Sequence, residues 1–301
     1  MPNNNNNQVA DPRALVFTGI AVTTAAYFLF TLHDAAVKWL VASFAVWQIL
    51  FVRSLTILAG CLAFGGRGLI RKTIRSPVVK PMFLRSFLLA AAWFCFYTAA
   101  RELQLAELTT IYFAAPIIVT VLAIVVLGEQ VSLVGWIAVL TGFAGVFIAC
   151  DPANLGLSWP VALVLFAAFA WALAIVLLRK IALHEQSLVQ MTLNNSFFLV
   201  ITIVPLALVW RRPDLGDLLM LIGVGVIGGG AQFLLIEGMK RAPASVLAPF
   251  EYTALVWAFA LGYLIWSDVP RSGVVYGATL IIAAGLMVIV GERLRRYPAK
   301  V

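Results

Sequence analysis

The chain has 301 residues, of which 63% are hydrophobic and 11% charged, against about 25% charged in an ordinary soluble domain. A soluble core of this size does not need so much apolar surface, so the excess faces lipid. This excludes a cytosolic enzyme, a disordered chain and a secreted disulfide scaffold. The net charge of +8 then asks which membrane face holds it, and does not indicate nucleic-acid binding.

Residues 1–12 form a polar stretch with five consecutive asparagines, Asn3 to Asn7, and are expected to be a disordered tail. The tail is not a signal peptide, because the first apolar segment is too long and no cleavage site follows it. Ten apolar segments come next, at 14–33, 45–64, 83–100, 108–127, 133–149, 160–178, 190–210, 217–236, 247–266 and 274–290. Each is long enough to cross a hydrocarbon core of about 30 Å as a helix. Short polar turns between them make neighbours antiparallel. Pro160 suits the first turn of its helix. Pro116 and Pro205 lie inside segments and are expected to kink them. Residues 293–301 form a basic cytoplasmic tail. Cys61, Cys95 and Cys150 have neither disulfide nor metal-ligand spacing and read as packing residues.

With the N-terminus inside, 15 of the 21 Lys and Arg residues fall on inner segments, 5 on outer ones, and Arg53 within a span. The inner set includes Arg71, Lys72, Arg75, Lys80 and Arg85. This bias places both termini in the cytoplasm and requires an even number of spans.

The chain repeats internally. Leu127-Gly128-Glu129 has its counterpart in Trp266-Ser267-Asp268, 139 residues later. Phe51 to Leu55 corresponds to Leu193 to Phe197, 142 residues later. The hairpin turn around Ala106 corresponds to that around Ala244, and Asp151-Pro152 joins the halves. The expected units are therefore 13–150 and 151–292. Five spans per half is an odd number, so the halves are inserted upside down relative to each other. Inverted repeats place a binding site near the midplane between them. The expected fold class is an all-α membrane protein, with ten transmembrane helices in two inverted five-helix repeats around a central cavity.

Ala106, Pro116, Leu127-Gly128-Glu129, Gly135, Gly142 and Gly145-Val146 together resemble the repeat of the drug/metabolite transporter superfamily, EamA type. The second half departs from it: Ser267-Asp268 replaces Gly-Glu, and Ala254 stands near the expected proline. Within the superfamily the chain is most similar to the YddG-type amino-acid exporters of bacterial inner membranes. The resemblance implies a ten-helix basket around a central cavity, with helices five and ten as outer supports.

Ionisable and amide side chains inside spans are costly and suggest function. Arg53 either faces the cavity and attracts a carboxylate or pairs with an acid such as Asp34. His33 and Asp34 either carry a coupled proton or form the polar end of a helix, where Asp34 and Lys38 share a face. Asn194, Asn195 and Gln232 can bind both ends of a zwitterion or glue helices together. Glu251 could pair with a substrate ammonium, carry a proton, or simply start a helix. Trp93, Tyr97, Tyr112, Trp171, Phe250 and Tyr252 suit an aromatic-lined cavity, or packing and interface positions. The candidate substrate site is thus Arg53, Trp93, Tyr97, Tyr112, Trp171, Asn195, Gln232, Phe250, Glu251 and Tyr252. His33, Asp34 and Glu251 are the proton-coupling candidates.

Gly223-Val-Gly225-Val-Ile-Gly228 matches a dinucleotide fingerprint, but an apolar span is the wrong setting, where small residues serve close helix approach. His184-Glu185 lacks a second zinc-binding histidine, and no ATP-binding run exists. No catalytic, metal or cofactor site is expected, nor any obligate protein partner. The partners expected are the lipid bilayer and a small-molecule substrate. The expected function is secondary export of aromatic and other neutral or hydrophobic amino acids by alternating access. The alternative is a carrier of another small metabolite, such as a vitamin, nucleoside or drug cation. Several cavity cations would be needed for a multiply anionic substrate, and one mid-membrane arginine weighs against it.

Overall fold

A computed structural model describes residues 12–41, 43–99, 102, 111–150, 158–266 and 272–294. The N-terminal tail, the turn around Ala106, the joint at Asp151-Pro152, Ser267-Asp268 and residues 295–301 lie outside these. Among the described residues the longer helices follow in order: α1 Pro12–Leu40, α2 Val46–Ile74, α3 Val79–Ala99, α4 Ala115–Leu127, α5 Leu133–Cys150, α6 Trp159–Ala182, α7 Ser187–Val209 and α8 Leu215–Arg241. A single turn, Ala244–Leu247, then leads through a 3-10 stretch, Ala248–Tyr252, into α9, Thr253–Trp266, and α10, Ser272–Leu294. The described residues contain no strand. Large apolar side chains such as Val125, Leu208 and Leu264 stand exposed on the outer surface, as lipid-facing positions require.

Length and hydropathy qualify eight helical stretches as membrane spans, and two shorter apolar helices complete the ten. Several helices overrun their expected bounds. α1 continues to Leu40, which turns His33 from a helix end into a helix interior. α2 runs past residue 64 to Ile74 and bends at Gly66, whose φ of 61° is accessible to glycine at little cost. The expected mid-helix kink at Pro116 is instead a helix start. Residues 113–114 form a turn, and Pro116 sits in the first turn of α4, where its missing N–H leaves no acceptor unsatisfied. Segment nine is broken at the matching place by the 3-10 stretch that holds Pro249 and Glu251.

The contacts carry the repeat symmetry. α1 packs along α8, and α3 along α6, which are images of each other under exchange of the halves. α2 pairs with α7, and α5 with α10, each pair mapping onto itself. Two inverted five-helix repeats therefore interlock. α8 achieves its close approach through small residues: Gly225 receives Thr56 of α2, and Gly238 receives Thr23 of α1. Of the glycines that mimic a nucleotide fingerprint, Gly225 and Gly228 are close-approach positions, and Gly223 faces open space.

The starts of α1 and ends of α10 share one end of the bundle, where the Arg293 guanidinium lies 5.7 Å from the Phe17 ring centre. We call this the terminal end and the other the distal end. At the distal end, Gln48 donates to Arg211 O at 2.6 Å and accepts from Arg211 N at 2.9 Å. This ties the start of α2 to the turn between α7 and α8.

Candidate substrate-binding cavity

A cavity of about 280 Å³ lies between the repeats, with walls from α1, α2, α3, α6, α7 and α8 and from the residues beside the breaks in the fourth and ninth segments. α5 and α10 do not line it. The wall positions are helical stripes. Tyr27, Phe30, His33, Asp34 and Val37 line it from α1, and Arg85, Leu89, Ala92, Trp93 and Phe96 from α3. Recurrence at three- and four-residue steps is one face of a helix. The lining reaches Val46, the first residue of α2, and Asp34, whose side chain is 77% exposed. Leu178 and Leu235 form the other limit. Beyond them, Ile181, Val189, Met239 and Leu247 are buried together. The cavity therefore reaches the distal end and is sealed from the terminal end.

Glu251 sits in the wall, 4% exposed. Its carboxylate accepts from Trp171 Nε1 at 2.7 Å and from the Tyr27 hydroxyl. The 3-10 break that holds it removes regular helix geometry at that depth, which lets the side chain leave the helix axis. Aromatic rings crowd beside it. Phe96 meets Tyr112 edge-on at 5.0 Å, and Trp93 meets Phe198 at 5.8 Å.

Towards the distal end, Arg53 lies over Gly228. A Cβ there would stand 2.8 Å from Arg53 Nε and 3.0 Å from His33 Cδ2. The missing side chain is what admits the guanidinium between α1, α2 and α8. His33 Nδ1 meets Asp34 Oδ1 at 3.0 Å, so the expected polar helix end is a cavity-wall pair.

Arg85 differs from its sequence reading. Counted among the inner cations, it is in fact 4% exposed and in the cavity wall. Its Nε donates to Ala174 O at 3.2 Å and its Nη1 to Asn194 Oδ1 at 2.8 Å. The cavity thus holds two guanidinium groups where one was expected.

Of the ten expected substrate residues, Arg53, Trp93, Tyr112, Trp171, Gln232 and Glu251 line the cavity. Asn195 stands behind Gln232, donating to its Oε1 at 3.1 Å and to Met191 O at 2.8 Å. Asn194, one residue earlier, is the wall residue. Phe250 and Tyr252 flank Glu251 but point into packing, Phe250 towards Gly285 and Tyr252 towards Gly142 and Phe113. A tight turn sends three neighbours in different directions. The Tyr97 and Lys38 side chains lie outside the described residues. Tyr27, Phe30 and Arg85 were missed, although the stripe back from His33 and Trp93 points to them.

The EamA-like transporter family matches the chain twice, over residues 13–150 and 158–290. The chain belongs to the EamA-like transporter family. This EamA-like protein is a multi-pass membrane transporter of the drug/metabolite superfamily and not an enzyme. It is 25% identical over 268 residues to an S-adenosylmethionine uptake transporter of Rickettsia prowazekii, covering 87% of this chain and 89% of the relative. It is 27% identical over 226 residues to a riboflavin transporter of Vibrio cholerae, covering 71% and 72%. It is 25% identical over 280 residues to the pseudopaline exporter CntI of Pseudomonas aeruginosa, covering 90% and 95%. A solved crystal structure superposes with a TM-score of 0.74 over 94% of this chain and 97% of the other, at 17% identity. That likeness concerns the fold.

Proposed function

We propose that the chain is a secondary carrier of amino acids or amino-acid-derived zwitterions in the bacterial inner membrane. It exports them by alternating access, with the basic terminal end in the cytoplasm. The observation that carries this reading is Glu251, a buried carboxylate on neutral donors, sharing an aromatic-walled cavity with two guanidinium groups. Opposite charges in one wet cleft match the ammonium and carboxylate of a zwitterion. The rings suit an aromatic or apolar side chain. The cavity volume of about 280 Å³ falls just below the range of roughly 300–1,000 Å³ usual for drug-sized ligands, as an amino acid needs. An S-adenosylmethionine carrier is among the relatives, and that substrate is itself an α-amino acid. In the conformation described, the cavity faces the distal end, one of the two states that alternating access requires. Glu251, His33 and Asp34 remain our candidates for a coupled proton.

Counterflow into proteoliposomes tests the reading. Vesicles loaded with one amino acid should accelerate entry of another in labelled form, with saturation. Silence across the amino-acid panel, from folded protein, refutes it. A second reading, a carrier of a planar vitamin, draws on the aromatic walls and on the riboflavin transporter among the relatives. It predicts counterflow with riboflavin and none with amino acids.

A further inference from the structure

We infer that Arg85 anchors the carboxylate of the substrate while Glu251 receives its ammonium. The inference rests on the amino-acid reading above and assigns the two ends of the solute to named side chains.

Arg85 is a buried cation whose hydrogen-bond partners are both neutral. The Ala174 carbonyl and the Asn194 amide oxygen take one N–H each. Among the described residues, no carboxylate lies within ion-pair distance of Arg85. A guanidinium has five N–H donors, so three remain for other acceptors. A buried charge is costly unless another charge meets it. Neutral acceptors orient the fork but leave its charge. The orientation is itself supported, because Ser86 Oγ donates to the same Asn194 oxygen at 3.2 Å. A prepositioned, wall-lining fork without an acidic partner is complementary to an incoming carboxylate.

Spacing selects Arg85 over Arg53. Trp171 binds Glu251, and Ala174 binds Arg85. These two positions are three residues apart on α6, an axial step of about 4.5 Å. The α6 residues that hold the negative and the positive group are therefore neighbours on one helix of the cavity wall. An α-amino acid carries its ammonium and carboxylate on a single carbon, so its head needs opposite charges held from neighbouring positions. Arg53 lies by His33, six residues along α1 from Tyr27, the second partner of Glu251. That is about 9 Å further towards the distal end. Counted along the helices that hold them, the anchor of Arg53 stands about twice as far from that of Glu251 as the anchor of Arg85 does.

The test compares each amino acid with the amine left when its carboxylate is removed. Tryptophan is paired with tryptamine, phenylalanine with phenethylamine, and leucine with isoamylamine. Full-length protein in proteoliposomes is assayed by counterflow of the labelled amino acid, with each compound as competitor. In the unaltered protein, the amine should compete at least about tenfold more weakly than its parent. Arg85→Gln should raise the half-saturating concentration of the amino acid by about tenfold or more and leave that of the amine unchanged. Arg85→Lys should fall between. Asn194→Asp, which offers Arg85 a carboxylate from within the protein, should mimic Arg85→Gln without removing the cation, and serves if Arg85→Gln does not fold. A merely structural Arg85 would weaken amino acid and amine alike, or neither, and that result overturns the inference. Equal handling of each pair by the unaltered protein also overturns it, while leaving the amino-acid carrier standing. Counterflow of neither compound removes the amino-acid reading as well.

Discussion

Glu129 of the first repeat caps the backbone at Ser245 of the second. Its carboxylate accepts from Ala244 N at 3.0 Å, from Ser245 N at 2.9 Å and from Ser245 Oγ at 2.6 Å. Local structure prepares both partners. Gly128 ends α4 in the left-handed conformation, with φ of 67°, and turns Glu129 off the helix. The turn starting at Ala244 has no side-chain cap of its own, so its free N–H groups need an outside acceptor. Arg179 approaches Glu129 at 3.9 Å and donates to Met239 O, adding α6 and α8 to the same closure.

This contact spans the sealed terminal end, and its loss should favour opening there. Glu129→Gln replaces one acceptor oxygen by an amide that cannot accept, at a cost of about 1–3 kcal/mol. The expected result is faster modification of a cysteine placed at Leu235, the cavity floor, by a charged maleimide supplied from the terminal side. Labelling unchanged by Glu129→Gln, in protein without its native cysteines, would make the contact a passive cap.

Gly228 leaves the space that Arg53 and His33 occupy. Gly228→Val should push the guanidinium out of the wall and abolish most counterflow, while the protein still purifies as a single species. Gly223→Ala on the same helix meets open space and should transport normally. Normal activity in Gly228→Val would show that the position of Arg53 does not matter.

Trp171→Phe keeps a ring in the wall and removes the donor at 2.7 Å from Glu251. A hydrogen bond to a charged group contributes about 1.5–3 kcal/mol. With Tyr27 still bonded to Glu251, the expected outcome is a half-saturating concentration raised by about tenfold and fold stability little changed. Counterflow titrations measure the first and thermal melting the second. An unchanged titration would separate Trp171 Nε1 from substrate binding.

Gly145 lies where α5 crosses α10, and a Cβ there would stand 2.7 Å from the Gly277 carbonyl oxygen. Gly145→Val should destabilise by about 1–3 kcal/mol, seen as a lower melting temperature in detergent. Because α5 and α10 do not line the cavity, the half-saturating concentration of the surviving protein should not change. Gly60→Ala, where nothing stands within 4 Å, should melt like the unaltered protein.

Much of this molecule was legible in its sequence. Apolar length gave the spans, because an unsatisfied backbone in lipid permits little except helix. The repeat was legible because its turns reuse residue types in corresponding places, such as the acids Glu129 and Asp268 and the alanines Ala106 and Ala244. Arg53, Trp171, Gln232 and Glu251 stood out because polar or amphipathic groups are rare inside spans. Arg85 was lost to a boundary: third in the segment 83–100, it was counted with the inner-side cations, yet it lies six residues into α3 and is buried.

By itself, then, the sequence determined the ten spans, the repeat and the short list of polar groups that a membrane must accommodate. Those follow from the cost of exposing polar atoms to lipid, which acts on each segment separately. Only the tertiary structure decided which of those groups share the cavity. It turned Phe250 and Tyr252 into packing, put Asn195 behind Gln232, and brought Arg85 to Asn194 across 109 positions of chain. Such choices depend on helix rotation and on the breaks beside α4 and α9. These are set by how helices from opposite repeats interlock, and no single segment encodes them.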